Sequence, residues 1–316
     1  KMSDLEEESD SNNGFTTPRS KVPIIYTRQY GIRFCGLQKL HPFDVCKGRR
    51  ILQYLKSAEF INDDNFHKPL EISKEKLLQV HTRRYIKSLK WSVNIARITE
   101  IPLLFFVPNG FLQKAYLRPM RFQTNGSILA GKVALRDGWA INLGGGFHHC
   151  CANAGGGFCS YADITLLITV VRRDYPSIAN IMIVDLDAHQ GNGHERDFMN
   201  RSDVYILDMY NAYIYPRDHE AKLAIKCAVE LKPKTKDSLY IKHLKRSLEK
   251  SFSEFQPDLI VYNAGTDILE NDPLGLLSIT PEGVIERDEI VFSLARSKQI
   301  PIVMLLSGGY LPVSSR

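Results

Sequence analysis

Five short apolar runs, each leading into glycine or polar residues and followed by a helical pattern, most constrain what this chain can fold into. They are Trp139 to Leu143, Ile181 to Asp187, Val204 to Met209, Leu259 to Asn263 and Ile302 to Leu306. Runs that are apolar at successive positions and rich in β-branched residues suit strands covered on both faces. Helical spacing falls between them at 160–173, 237–255 and 282–297; in the second, Ile241, Leu244, Leu248 and Phe255 share one face. This alternation predicts an α/β fold, a single-domain open, mostly parallel β-sheet with helices on both faces. The N-terminal third reads as helical over 45–57 and 73–91, with Ser73 a plausible N-cap, and again through 125–136. With 316 residues, 44% of them hydrophobic, and no linker between 25 and 310, the chain can bury one large core.

Ligands of open α/β sheets bind beyond the carboxyl ends of the strands. Four of the runs end in chemistry there: Gly144-Gly145-Gly146-Phe147-His148-His149, Asp185-Leu186-Asp187-Ala188-His189, Asn263-Ala264-Gly265-Thr266-Asp267 and Ser307-Gly308-Gly309-Tyr310. Side chains alternate along a strand, so Asp185, Asp187 and His189 can share a direction. Two carboxylates and an imidazole leaving an apolar strand together cost free energy unless a cation or partners satisfy them. Asp267 alone would read as a turn carboxylate. Beside Asp187 and His189 it completes a three-ligand site that leaves positions for water and substrate, the pattern of a catalytic zinc centre.

Adjacent histidines at a strand end, His148 and His149, can act as general base and general acid. Asp185 is placed to orient His148; the corresponding candidate for His149 is Asn192, an amide that lends no charge. The imidazolium of His149 should therefore be less favoured than that of His148. Tyr310, after two glycines, can donate to a developing oxyanion. Gly157, Phe158 and Tyr215 could wall a narrow apolar channel. No nucleotide-binding glycine spacing is present, since Gly144 to Gly146 lead into histidines and not into a helix.

Residues 1–20 carry two basic and five acidic residues and read as a disordered acidic tail, leaving about +9 on a chain whose total is +6. No Lys/Arg block stands out, so a solvated basic face is expected and no direct nucleic-acid binding. The six cysteines, at 35, 46, 150, 151, 159 and 227, form no CxxC pair and read as reduced thiols, with nucleus or cytoplasm both open. The longest apolar stretch, Ile101 to Val107, is too short to span a bilayer and contains Pro102.

With these residues assembled, the chain resembles the zinc-dependent histone deacetylases, and within them the class IV (histone deacetylase eleven) type. The matching segments are Val80 to Tyr85, Gly144 to His149, Gly157-Phe158-Cys159, Asp185 to Gly193, Asn263 to Asp267 and Ser307 to Tyr310. Ala188 to Glu195 and Leu40-His41-Pro42-Phe43-Asp44 carry the class IV likeness. The resemblance implies the arginase/deacetylase-like fold and hydrolysis of the acyl-lysine amide of histones or non-histone proteins. It implies zinc on Asp187, His189 and Asp267, with metal-bound water as nucleophile, acid–base work by His148 and His149, and Tyr310 on the oxyanion. Gly157, Phe158 and Tyr215 would line the acyl-lysine tunnel, and a structural potassium ion would lie near Asp185. Chromatin-regulator complexes and a preference for long fatty acyl groups come with the class IV likeness.

Relatives continue beyond the position of Tyr310 into a C-terminal helix, so residues 21–316 are expected to form a deacetylase catalytic domain truncated at that end. A catalytically weak form acting as a binding scaffold is the alternative. Arginase-type enzymes share the Asp-Ala-His strand end, but their second metal needs an aspartate where this chain has Gly191.

Overall fold

The computed structural model describes residues 21–32, 44–63 and 65–311. The expected acidic tail, the Leu40 to Phe43 part of one class IV-like segment and the last five residues lie outside them. The strands are β1 (Val22–Ile25), β2 (Phe66–His67), β3 (Trp139–Asn142), β4 (Ile181–Asp185), β5 (Val204–Asn211), β6 (Cys227–Leu231), β7 (Leu259–Asn263) and β8 (Ile302–Leu305). They form one sheet in the order β2-β1-β3-β8-β7-β4-β5-β6, and every neighbouring pair is parallel. The five runs read from sequence are β3, β4, β5, β7 and β8. β1, β2 and β6 carried no comparable signal: β2 has two residues, and β6, at the sheet edge, buries only its ends.

The helices are α1 (Lys47–Ser57), α2 (Lys74–Leu77), α3 (Arg83–Ser88), α4 (Ser92–Thr99), α5 (Asn109–Leu112), α6 (Arg118–Asp137), α7 (Asp163–Asp174), α8 (Asn192–Asp197), α9 (Asp237–Glu254) and α10 (Pro281–Ser297). Successive residues of the central strands feed opposite cores, as a period of two requires. Ile183, Val261 and Val303 pack with Ile128 and Val133 of α6 and Leu166 and Val170 of α7. Val184, Ile260 and Ile302 pack with Leu52 of α1, Leu244 and Leu248 of α9 and Val291 of α10. No described helix is long and apolar enough to cross a membrane.

Two helix boundaries differ from the sequence reading. The expected helix over 73–91 is broken into α2 and α3, because Thr82 leaves helical geometry (φ −66°, ψ 146°) to cap α3 through its Oγ1, which accepts from Tyr85 N. His81, whose spacing looked like one more helix-face position, fills the break. Its Nδ1 meets Ala152 O at 3.2 Å, its Nε2 accepts from Ala162 N at 3.1 Å, and burial lowers its pKa to about 4. The helix expected from 125 begins at Arg118 and continues from α5 without a break, through a wider π turn over Gln113–Leu117; Pro119, which has no N–H to donate, follows that turn directly.

Candidate active site

The four strands that end in polar chemistry, β3, β8, β7 and β4, are consecutive in the sheet. Their C-terminal extensions therefore meet at the sheet's centre, and every residue of the expected set is brought to one place. Asp187, His189 and Asp267 are buried and offer one ligand atom each, all within 4.8 Å of one another. The His189 Nδ1 lies 3.2 Å from Asp187 Oδ1 and 2.9 Å from Asp267 Oδ2. The backbone holds the carboxylates in place: Gly308 N donates to Asp187 Oδ2 and Ala188 N to Asp267 Oδ1, each at 2.8 Å. A Cβ on Gly308 would stand 2.4 Å from Asp267 Oδ2, so a side chain there would displace the carboxylate.

The charge balance of this trio fits a cation. Asp267 is pushed up to about 7, first by burial and then by Asp187. Burial opposes charge on His189, yet the two carboxylates lift it to about 10. Two buried carboxylates thus draw positive charge into a site lined by oxygen and nitrogen donors, which a divalent metal supplies better than a proton.

Both histidines of the pair are buried, with rings 4.1 Å apart between centroids. His148 Nδ1 donates to Asp185 Oδ2 at 3.0 Å, and His149 Nδ1 donates to Asn192 Oδ1 at 2.9 Å. The Asn192 amide is fixed in that sense because its Nδ2 donates to Asp218 Oδ2 at 3.2 Å. Burial would lower both histidines. Asp185 and Asp187 overcome it for His148, raised to about 9; for His149, burial reinforced by His148 and His189 leaves the pKa well below the ordinary value.

Tyr310 stands edge-on to His189, 5.9 Å between centroids at 84°, with its backbone N donating to Asp272 Oδ2 at 2.9 Å. Burial, then Asp267 and Asp187, hold its phenol well above the usual range, so the group is a donor. A cavity of about 220 Å³ is bordered by His149, Gly157, His189, Tyr215, Tyr310 and Glu100 among others. Gly157 adopts φ +50°, and a Cβ there would lie 2.4 Å from His149 Cδ2. Phe158 borders a smaller inner recess with His148, His149 and Tyr310.

Several residues of the site carried no readable signal. Lys47, from α1, is buried under the Tyr310 loop and donates to Ser307 O and Gly308 O, each at 2.6 Å. Burial lowers it to about 8 against the pull of Asp267, Asp187 and Asp272. His194 Nε2 donates to Asp185 Oδ2 at 2.8 Å, so Asp185 anchors two histidines. Asp208 faces Asp185 from β5; burial, then Asp185 and Glu195, push its carboxyl well above the usual range. Each sits on a helix or strand whose local pattern is ordinary, and only the fold brings it inward.

The histone deacetylase domain model matches residues 41–316. The chain belongs to that family. Histone deacetylase 2 of Arabidopsis thaliana is 51% identical over 302 residues, covering 96% of this chain and 78% of that protein. The acetoin utilization protein AcuC of Staphylococcus aureus is 26% identical over 85% of this chain and 72% of its own. Among solved structures, the HDA15 HD domain superposes with a TM-score of 0.76 at 21% identity, covering 94% of this chain and 86% of that one. An HDAC homologue from Aquifex aeolicus gives 0.73 at 23%, covering 94% and 81%. The likeness to solved structures establishes the deacetylase fold for the sheet described above. As a histone deacetylase family member, the chain is a hydrolase acting on acyl-lysine.

Proposed function

We propose that this enzyme is a zinc-dependent lysine deacylase of the class IV type, with Asp187, His189 and Asp267 holding one zinc ion. The observation that carries this reading is the convergence of that trio with His148, His149 and Tyr310 around one cavity. Zinc held there would polarise the acyl carbonyl and lower the pKa of its water toward about 7. His149, neutral and held through Nδ1 by Asn192, has Nε2 available to take a proton from the attacking water. His148, kept charged by Asp185, stabilises the negative charge that develops and completes proton transfer to the departing lysine amine. Tyr310 would donate a hydrogen bond from its phenol to the oxyanion and keep its proton. The products are a carboxylate and a free lysine side chain. Gly157, Phe158 and Tyr215 form the channel for the acyl-lysine.

A structural potassium ion near Asp185 fits the same region. Asp208 and Glu195 set carboxyl oxygens against each other there with no donor placed between them, so either a nearby cation or a proton shared by the pair would satisfy them. Residues from 21 onward act as the catalytic domain, with histones or non-histone proteins as substrates. Long-chain fatty acyl groups are the favoured cargo and chromatin-regulator complexes the setting, both on the class IV resemblance, and nucleus or cytoplasm is the compartment, as the reduced thiols suggest.

The test is hydrolysis of matched acetyl-lysine and myristoyl-lysine peptides, with zinc content recorded on the same sample. Chelator-sensitive turnover supports the mechanism, and the ratio of rates decides the acyl preference. A folded, zinc-loaded protein without turnover would refute it in favour of the scaffold role.

A further inference from the structure

Large apolar side chains crowd one outer face beside the cavity. Trp91 is 68% exposed and Phe106 79%, and Val93, Leu103 and Phe105 are exposed with them. Scattered exposed hydrophobics are ordinary, but a contiguous group of this size marks an interaction surface.

Hydrogen bonds bring the segments that carry these side chains together. Ser92 Oγ donates to Val107 O at 2.7 Å, tying the start of α4 to the end of the turn that carries Leu103, Phe105 and Phe106. The Phe105 and Phe106 rings meet edge to face at 5.0 Å. Asn109 Nδ2 and Gln113 Nε2 both donate to Leu89 O, which draws the segment bearing Lys114 against the chain just before Lys90 and Trp91. Ile95, Ile98, Ile101 and Leu104 bury the underside, so the exposed rings stand on a packed base.

The surrounding charge is predominantly positive. From Arg83 to Phe106 there are five basic residues and one acidic residue, Glu100. Lys87, Lys90, Arg97 and Lys114 are exposed. None of these four appears among the ion pairs of the described residues. The one acid is engaged elsewhere: Glu100 accepts from the Gly157 backbone and borders the cavity.

We infer that this face docks onto the surface of an anionic lipid membrane. Trp and Phe projecting among lysines and arginines match a headgroup boundary, where rings enter the acyl region and cations meet phosphate and carboxylate. A folded protein partner would have to offer a pocket for each ring; a fluid bilayer accommodates them without one. The docked face is also joined to the channel wall, since Phe158 N donates to Ile98 O of α4 at 2.8 Å. Glu100, immediately after α4, borders the cavity. Docking therefore presents the mouth of the cavity to lipid, where an acyl chain on lysine would itself partition. This last consequence rests on the deacylase reading; the docking does not.

The experiment is co-sedimentation of the full chain with phosphatidylcholine vesicles, with and without phosphatidylserine, over a salt series. Binding is expected only with phosphatidylserine and should fall as salt rises. F105S/F106S and K87E/K90E should each weaken it by about tenfold or more. These variants should hydrolyse a soluble acyl-lysine peptide at the parent rate, which separates lost docking from lost folding. Parent-like turnover on the soluble peptide but slower turnover on the same peptide anchored to vesicles is the expected functional signature. A folded parent that ignores both vesicle types would overturn the proposal and leave the face to a protein partner. Variants that bind like the parent would overturn it as well. Vesicle binding by a protein that never hydrolyses acyl-lysine would sink the deacylase reading alone.

Discussion

Replacing Asn192 by Asp tests the neutral support of His149 most directly. Asn192 stands between a donor and an acceptor: its Oδ1 accepts from His149 and its Nδ2 donates to Asp218 Oδ2 at 3.2 Å. Asn192→Asp keeps the shape but sets oxygen against oxygen across that gap. Two unit charges at that separation repel by about 5 kcal/mol at an effective dielectric of 20. Arg196, which grips Asp218 through two bonds of 2.8 Å, offsets part of this, and the pair reaches solvent. Leaving an acceptor without its donor costs about 1–3 kcal/mol, so that is the loss of stability expected at neutral pH. His149 does not cancel it, because burial and the neighbouring imidazoles disfavour its protonation.

The pH dependence follows from the sign of the shift. A carboxyl whose folded pKa is raised by Asp218 destabilises only once it is ionised. The penalty is therefore absent below the carboxylate range and grows as pH rises through it. Urea unfolding of the parent, N192D, D218N and the double variant, at pH 4 and pH 7, closes the cycle. D218N should restore most of the loss in N192D at pH 7. A double variant as unstable as N192D would show that the Asn192–Asp218 bond is not the constraint on residue 192.

Tyr310→Phe should cut turnover by about 10²–10³-fold with zinc content unchanged; unchanged turnover would remove the phenol from the mechanism. Gly157→Ala forces a Cβ to within 2.4 Å of His149 at a positive φ. It should therefore lower turnover far more than the unfolding temperature, as paired activity and thermal scans would show. Lys47→Met should change the pH profile of stability. With Lys47 near pH 8 folded against 10.5 as the reference, the charged lysine is a burden below pH 8 that fades as pH rises toward 10. The parent should gain about 3 kcal/mol on the variant across that window, read by denaturant titration; parallel profiles would refute the buried charge.

How much of this was legible depends on the range of each interaction. The strand cores and the chemistry at their ends are local patterns: an apolar run followed by Asp185, Asp187 and His189 announces both a buried strand and a cation site within nine residues. α9 was readable for the same reason, since Leu244 and Leu248 repeat at helical spacing. The break at Thr82 was not, because a capping hydroxyl and a buried histidine satisfied by Ala152 and Ala162 depend on a loop seventy residues away.

The sequence alone determined the alternating α/β pattern and which residues could supply metal ligands, acid–base groups and an oxyanion donor, since these are properties of residue type and period. Only the tertiary structure decided that β3, β8, β7 and β4 are neighbours, which turns four separate strand ends into one site. It alone placed Lys47 beneath Gly308, gave Asp185 two histidines to hold, and put exposed rings beside the cavity. Strand order is set by how distant apolar faces share two cores. No local window of the chain contains that information.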